Sequence, residues 1–230
     1  MAFMNEMNEN FNWLWHENGD INQPRGNRGV IRMHKDEATL LSKYCNLING
    51  NSVEIGRSSG GSLYLMATLT PGKVYSIDVR SLESVIKKRF EPPVTDELLN
   101  KFSKFSNIVM ITHRSEAIRI NDTYDLLFID GSHTFQKVVL DVINYWSNLT
   151  TYAIFHDYHT NGVKDVVDMG VECGLFEILE TGKTKQGGIK QDSIIVVRKL
   201  KEIGEFISLI IARYPEYTLR IEPAKQINTV

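Results

Sequence analysis

Apolar residues along the chain follow two patterns that alternate. Short runs rich in Val, Ile, Leu, Phe and Tyr are typical of strands buried on both faces, and between them apolar residues recur every three or four positions, as on one face of a helix. The first helical pattern begins at Asp36, a predicted N-cap. The predicted strands are residues 52–55, 74–78, 107–112, 124–130, 152–157, 176–181 and 193–199. The predicted helices are residues 36–48, 60–69, 81–90, 96–102, 115–120, 134–149, 163–174 and 202–214.

This alternation of strands and helices predicts an α/β fold, with a doubly wound, mostly parallel sheet and helices on both of its faces. No helix separates residues 176–181 from residues 193–199, so the last pair forms an antiparallel hairpin or a reversal at the sheet edge. Sheets of this kind bind ligands outside the carboxyl ends of their strands. We therefore expect the functional residues where the predicted strands end.

Composition argues against several classes of function. The 230 residues carry a formal net charge of -2, which does not suggest the basic surface of a nucleic-acid-binding protein. No apolar run approaches the roughly 20 residues of a membrane span, and the N-terminus lacks the pattern of a secretory signal. The two cysteines are too far apart in sequence for a metal-binding motif. These features predict a cytoplasmic protein with no nucleic-acid and no membrane partner.

The chain divides into three segments. Residues 1–35 are polar with scattered aromatics, which suggests a lid over a site or an arm onto a partner subunit. Residues 36–200 contain all the predicted strands and form the main domain. Residues 201–230 add a helix to the same domain, and residues 217–223 form either an added edge strand or a dimer arm.

The first predicted strand runs into a glycine-rich turn, VEIGRSSGGS, from Val53 to Ser62. Gly56 allows the chain to turn sharply, Gly60 and Gly61 allow close approach to a ligand, and the helix N-terminus that follows favours negative charge. The turn lacks the Gly-Lys-Ser/Thr of a phosphate-binding P-loop and matches the dinucleotide fingerprint poorly. A tight turn without a ligand is the alternative interpretation.

Asp78 ends the second predicted strand, 22 residues after Gly56. An acid at this position accepts hydrogen bonds from the two ribose hydroxyls of a nucleoside bound at the glycine turn. Taken alone, Asp78 is also consistent with an N-cap for the next helix. Together with the glycine turn, it predicts a cofactor that contains a nucleoside.

Two further strands end in carboxylates and histidines. Asp130 follows the apolar run LLFI, His133 comes three residues later, and another strand ends in His156-Asp157. A carboxylate at the end of so apolar a strand needs partners that offset its desolvation. His133 and His156 are candidate general bases, because imidazole titrates near neutral pH. Alternatively, Asp130, His156 and Asp157 bind Mg²⁺ or Mn²⁺, which would lower the pKa of a hydroxyl that reaches the ion.

The histidines also have purely structural interpretations. His133 would then be a polar residue at the start of a helix, and His156 a core histidine bonded to a neighbouring strand. His159 is interpreted as a surface loop residue. The helix segment VVLDVINYW, residues 138–146, is assigned to the core without a function.

The motifs VEIGRSSGGS, VYSID, YDLLFIDGSHTFQKV and YAIFHDY together resemble class I S-adenosylmethionine-dependent methyltransferases over residues 36–200. Within that class they are most similar to small O-methyltransferases with an IDGSH strand end, the group that includes macrocin-type and cephalosporin-biosynthesis enzymes. Many nucleotide-binding proteins share the glycine turn, whereas IDGSH and HDY are the specific part. The resemblance implies a Rossmann-like, seven-stranded sheet whose last strand is antiparallel, S-adenosyl-L-methionine as cofactor, and a homo-oligomer.

The resemblance also implies roles for individual residues. The methionine end of the cofactor would be held by Glu54, Gly56, Ser58 and Gly60, its ribose by Asp78, and its adenine near Ser115 and Glu116, with Asp130 beside the sulfonium or a metal. The chain departs from metal-dependent relatives at one position. Those relatives often carry two adjacent acids where this chain has His156-Asp157, so an imidazole replaces one carboxylate.

Three functions are compatible with these motifs. The favoured one is O-methylation of a hydroxyl on a small molecule or sugar, with a histidine base or a divalent metal activating the acceptor. The second is an NAD- or nucleotide-sugar-binding oxidoreductase, which needs a proton shuttle such as Tyr-x-x-x-Lys in the helix after the fourth strand. Tyr145 is followed four residues later by Leu149, so that pair is missing there. The third is a non-catalytic cofactor-binding protein.

Overall fold

The computed structural model describes residues 31, 33–186, 189–215 and 225–227. Its helices are α1 (Lys35–Leu47), α2 (Gly61–Leu69), α3 (Leu82–Arg89), α4 (Val94–Ser103), α5 (Phe135–Tyr145), α6 (Asn161–Glu172) and α7 (Gly204–Arg213), with a short 3-10 helix at Ser115–Ala117. Its strands are β1 (Ser52–Ile55), β2 (Val74–Asp78), β3 (Ile108–Thr112), β4 (Ile118–Ile120), β5 (Tyr124–Ile129), β6 (Leu149–His156), β7 (Phe176–Gln186), β8 (Ile189–Lys199) and β9 (Lys225–Ile227). Of the arm or lid expected at residues 1–35, residues 1–30 and 32 lie outside the described residues, as does the strand or arm expected at residues 217–223.

Seven strands form one sheet in the order β3-β2-β1-β5-β6-β8-β7. The first five are parallel to one another, whereas β8 runs antiparallel to both β6 and β7. The predicted fold class, a doubly wound, mostly parallel α/β sheet with an antiparallel strand at one edge, is therefore confirmed, and the antiparallel strand β8 lies next to the edge strand β7. The strand order changes direction between β1 and β5, and sheets of this kind bind ligands at such a switch point.

Two apolar clusters cover the two faces of the sheet and explain why the central strands are apolar throughout. In β5, Leu127 and Ile129 belong to the cluster that packs under α5, α6 and α7, while Leu126 and Phe128 belong to the cluster under α1 to α4. Successive side chains of a strand point to opposite faces, so a strand covered on both sides needs apolar residues at every position. Each apolar run must end where the strand leaves the core, and Asp130 follows immediately.

The helix predicted at residues 115–120 is wrong. One turn of 3-10 helix, Ser115–Ala117, leads instead into β4, which pairs in parallel with β9 in a separate two-stranded sheet. Ile118 and Ile120 are buried and Arg119 between them is partly exposed, which is the two-residue period of a strand. Its partner lies more than 100 residues further on, so no local signal marks the pairing.

The predicted start of α1 also differs. The N-cap is His34 rather than Asp36, and the carboxylate of Glu37 accepts a hydrogen bond of 2.6 Å from the backbone nitrogen of His34. A glutamate three residues after the N-cap satisfies a backbone donor that the helix leaves without a partner. The helix predicted at residues 134–149 ends at Tyr145, because Leu149 already begins β6.

Among the described residues, no helix combines the length and apolar composition that crossing a membrane requires.

Candidate active site

A cavity of about 730 Å³ opens at the carboxyl ends of β1, β2, β5 and β6, where the sequence predicted the site. It brings together most of the predicted site residues, which are Gly56, Ser58, Asp78, Ser115, Glu116, Asp130, His133, His156 and Asp157. Glu54 and Gly60 do not line it. The lining residues form three groups, one at the glycine turn, one around the 3-10 helix and one around His156.

The glycine turn brings the end of β1 against the end of β5. Gly56 has φ +95°, and a Cβ at this position would lie 2.0 Å from the backbone oxygen of Asp130. Only glycine permits both that conformation and that approach. Gly60 has a φ of +87°, and a Cβ there would lie 2.5 Å from Phe102 and 2.9 Å from Leu82. Gly60 is therefore required by packing beneath the turn, on the side away from the cavity.

Glu54 lies completely buried under the turn. It accepts hydrogen bonds of 2.5 Å from the hydroxyls of Ser62 and Ser76, which connects β1 to α2 and β2. Burial raises the pKa of Glu54 to about 7, although the two hydroxyls oppose the change. The residue supports the turn from below.

Asp78 fixes the same turn from β2. One carboxylate oxygen accepts from the backbone nitrogen of Ser58 at 3.0 Å and the other from that of Arg80 at 2.9 Å. The buried guanidinium of Arg57 donates to the backbone oxygens of Ser76 and Arg80, at 2.8 and 2.7 Å. The sequence did not mark Arg57, although a charged residue inside a glycine turn is a signal that could have been used. Carboxylate oxygens have further lone pairs, so Asp78 can also accept from hydroxyl donors in the cavity.

The second group lies around the 3-10 helix. The hydroxyl of Ser115 donates to Asp141 at 2.6 Å, and Glu116 forms an ion pair with Lys137. Burial raises the pKa of Asp141 to about 7, opposed by the hydrogen bond from Ser115. Asp141 lines the cavity, so assigning its helix segment wholly to the core missed a site residue. A single carboxylate on an otherwise apolar face was the available signal.

The third group centres on His156, at the end of β6. Its Nδ1 lies 3.0 Å from Oδ1 of Asp130 and 3.3 Å from Oδ2 of Asp157. Its Nε2 lies 3.3 Å from Oε2 of Glu37, a residue of α1 that the sequence did not predict. His156 is buried, yet its ion-pair partners are carboxylates rather than the backbone of a neighbouring strand.

Two more histidines adjoin Asp157. Nε2 of His133 lies 3.1 Å from Oδ2 of Asp157 and 3.7 Å from Oδ1 of Asp130, while Nε2 of His159 lies 3.9 Å from Oδ1 of Asp157. Asp157 has φ +54°, a left-handed conformation that is uncommon for a residue with a side chain. Such strain persists where the surroundings hold it, often at functional sites.

The charges of this third group depend on one another. Burial alone would lower the pKa of His156, but Asp130, Asp157 and Glu37 raise it well above its ordinary value. Burial alone would raise the pKa of Asp130, but His156 and His133 hold it below its ordinary range. Burial alone would likewise raise the pKa of Asp157, but His156 and His133 lower it. The carboxylates therefore stay ionised only because positive charge is close by.

These residues fit a divalent metal ion. Asp130, His156 and Asp157 each offer a ligand atom, and the three atoms lie within 4.8 Å of one another. Both ring nitrogens of His156 are buried near carboxylates, but neither makes a hydrogen bond of good geometry. One imidazole nitrogen with two carboxylate oxygens is a donor set that divalent ions accept.

Part of the chain is similar to a known family. Residues 53–158 match a family model described as a methyltransferase domain. No curated protein sequence matches the chain.

Solved structures share the fold at low sequence identity. An S-adenosylmethionine-dependent O-methyltransferase of Thermotoga maritima is 14% identical, with a TM-score of 0.52 over 74% of this chain and 67% of that one. The O-methyltransferase TomG of Streptomyces achromogenes, which acts in tomaymycin synthesis, is 12% identical, with a TM-score of 0.55 over 74% and 82%. An rRNA methylase of Streptococcus thermophilus is 14% identical, with a TM-score of 0.54 over 74% and 100%.

Residues 53–158 are therefore similar to a methyltransferase domain, and the sheet shares the fold of solved S-adenosylmethionine-dependent methyltransferases. The neighbours include both O-methyltransferases and rRNA methylases, so this fold serves several classes of acceptor.

Proposed function

We propose that this protein transfers the methyl group of S-adenosylmethionine to a hydroxyl oxygen of a small molecule or sugar. One observation supports this proposal above all. Two carboxylates at strand ends, Asp130 and Asp157, lie together with two histidines in the same cavity that the glycine turn lines. A methyl acceptor held there would lie beside groups able to remove or weaken a hydroxyl proton.

The cofactor would lie across the first two groups of the cavity. Gly56 and Ser58 would face its methionine end, with Glu54 and Gly60 supporting the turn from beneath. Asp78 would accept from the ribose hydroxyls. The adenine would lie near Ser115 and Glu116, a surface to which we add Asp141 because it bonds Ser115.

The chemistry needs alignment more than covalent assistance. The acceptor oxygen attacks the methyl carbon, the new C–O bond forms as the C–S bond breaks, and the electron pair of that bond stays on sulfur as S-adenosylhomocysteine leaves. The sulfonium is already an activated donor, so the protein must align three atoms and exclude water. The proton of the acceptor hydroxyl must go to a base.

Asp130, His156 and Asp157 would hold a divalent ion, Mg²⁺ or Mn²⁺ among the candidates. Such an ion lowers the pKa of a hydroxyl that reaches it. We assign the proton to His133, which is half-buried at the cavity and held by Asp157 at 3.1 Å. The partner implied is therefore a small molecule or sugar with a hydroxyl.

Calorimetric titration of the purified protein with S-adenosylmethionine, S-adenosylhomocysteine, NAD and ATP tests the cofactor. We expect micromolar binding of the first two alone, and binding of NAD instead would overturn the proposal. Turnover is then measured with a set of hydroxyl-bearing acceptors and with RNA, before and after exhaustive chelation. Methylation of RNA alone would overturn the acceptor class, and full activity after chelation would overturn the metal.

A further inference from the structure

A buried imidazole lies between carboxylates on both sides of its ring. The side chains of His156 and Glu37 are only 8% and 3% exposed, and Nε2 of His156 lies 3.3 Å from Oε2 of Glu37. On the other side of the ring, Nδ1 faces Asp130 at 3.0 Å and Asp157 at 3.3 Å. Two of these carboxylates are strand ends of the site, whereas Glu37 comes from α1.

Glu37 is held firmly where it is. Its Oε2 accepts a hydrogen bond of 2.6 Å from the backbone nitrogen of His34. A hydrogen bond from the Ser193 hydroxyl also stabilises the charge of the carboxylate. The first turn of a helix favours negative charge, because the backbone N–H groups there point toward it. Glu37 therefore presents an ionised oxygen, which can only accept a hydrogen bond, to Nε2 of His156.

The carboxylates on both sides of the His156 ring require positive charge between them. Without a metal, protons on both ring nitrogens supply that charge. A divalent cation held by Asp130 and Asp157 takes the place of the Nδ1 proton, because Nδ1 must give its lone pair to the ion. A neutral imidazole has one N–H and one lone pair, so the remaining N–H lies on Nε2, which faces Glu37 at 3.3 Å.

We infer that Glu37 is a positioning residue that fixes His156 with its Nε2–H toward α1 and its Nδ1 as a metal ligand, and that the site thereby prefers a divalent transition-metal ion to Mg²⁺. The inference rests on the metal site of the proposed function and names the class of metal. Carboxylates that bond the far nitrogen of a metal-binding histidine fix its tautomer and raise its basicity.

The preference for a transition metal follows from the donor atoms. Mg²⁺ favours oxygen ligands in a regular octahedron and loses its water reluctantly. Imidazole nitrogen binds Fe²⁺, Co²⁺, Ni²⁺ and Zn²⁺ better, and affinity for nitrogen sites rises along the first transition row. A third carboxylate at position 156 would have favoured Mg²⁺, but this chain has an imidazole there, supported by Glu37.

Metal titrations of the whole protein, without acceptor, test the inference directly. Calorimetry with Mg²⁺ and Mn²⁺ alone, and visible absorption with Co²⁺ alone, give affinities that do not depend on turnover. We expect Co²⁺ and Mn²⁺ to bind at least about tenfold more tightly than Mg²⁺. Glu37→Gln, which keeps the shape and loses the charge, should weaken Co²⁺ binding by roughly 10- to 100-fold.

Glu180→Gln is the matched control. Glu180 also attaches α1 to the sheet, through Lys43 at 2.5 Å and Tyr44 at 3.3 Å, whereas the carboxylate that faces His156 from α1 is that of Glu37. Its loss should leave metal affinity unchanged. The thermal midpoint and the affinity for S-adenosylmethionine establish that each variant is folded.

Nitrogen-15 NMR of the wild-type protein loaded with Zn²⁺ provides a test that needs no variant. We expect His156 with a proton on Nε2 and the metal on Nδ1, and the metal on Nε2 would overturn the inference.

Equal Co²⁺ affinity in folded Glu37→Gln, or tighter binding of Mg²⁺ than of Co²⁺, would overturn it as well. If S-adenosylmethionine binds but no metal does, this inference fails while the methyltransferase stands; if metal binds but S-adenosylmethionine does not, the proposed function fails instead.

Discussion

The backbone nitrogen of Ser58 donates to the carboxylate of Asp78 at 3.0 Å, and this bond ties the glycine turn after β1 to the end of β2. Ser58 has φ +48°, so the bond holds a backbone conformation that a serine seldom adopts. Arg57 reinforces the same junction from inside the protein. The shape of the proposed cofactor site and its proposed ribose ligand therefore depend on a single carboxylate.

Asp78→Asn should weaken S-adenosylmethionine binding strongly. The amide keeps the size of the side chain but replaces one acceptor oxygen with a donor, opposite a backbone N–H or a ribose hydroxyl. Hydrogen bonds to a charged group contribute about 1.5–3 kcal/mol, so we expect roughly a 10- to 100-fold higher Kd by calorimetry. Asp168→Asn, at an exposed carboxylate paired with Lys164 and Tyr158, should leave Kd unchanged. Equal affinity in the two variants would remove Asp78 from the site.

Gly56→Ala should destabilise the protein severely. The added methyl group would lie 2.0 Å from the backbone oxygen of Asp130, at a φ that alanine rarely adopts. We expect a loss of at least about 2–3 kcal/mol in the free energy of unfolding, measured with urea. Gly204→Ala is the contrasting change, because nothing lies within 4 Å of its Cβ position at the start of α7. It should be neutral or slightly stabilising, and similar losses in both variants would contradict the packing at Gly56.

The positions of Asp78, Asp130 and Asp157 could be predicted because they depend on a regular rule. Parallel strands place their carboxyl ends at one edge of the sheet, so polar residues that end separate apolar runs meet there. The runs themselves are visible because a strand covered on both faces is apolar at each position. The sheet and the acids at its strand ends can therefore be predicted from local patterns combined with one rule of topology.

Glu37, Asp141 and β4 depend on long-range contacts that no local pattern contains. Glu37 lies in the first turn of α1, where a glutamate has an ordinary capping role, and only the folded structure places His156 beside it. Asp141 lies in a helix that is otherwise core, and its partner Ser115 comes from another element. The strand at Ile118–Ile120 exists because β9 pairs with it. Such partners are visible only after the chain has folded.

The buried carboxyl of Glu54 should make stability depend on pH. Its pKa is raised from 4.5 to about 7 in the folded protein, so between these values the folded state holds a proton that the unfolded chain has released. Unfolding then releases a proton, and stability falls as pH rises from about 4.5 to 7 and is level above. The total change from this group is on the order of 3 kcal/mol.

Glu54→Gln isolates this effect, because glutamine does not titrate. The free energy of unfolding of the wild type minus that of the variant should decrease between pH 5 and pH 7, and stay constant from pH 7 to pH 8. Urea unfolding at each pH measures it. Glu97→Gln, at an exposed helical carboxylate paired with Lys101, should give a nearly constant difference. A constant difference for Glu54→Gln as well would mean that Glu54 is ionised in the fold.

His133→Ala should lower kcat and leave cofactor binding intact. His133 lines the cavity, and its ion-pair partners are Asp130 and Asp157 rather than Asp78, the residue proposed to hold the ribose. General bases contribute about 10²- to 10⁴-fold, so we expect a loss of that size in kcat with an unchanged Kd for S-adenosylmethionine. Added imidazole should restore part of the activity, because it can enter the vacated space and take the proton of the acceptor. A purely structural role would give a lower thermal midpoint without rescue, and an unchanged kcat would assign the proton to another group.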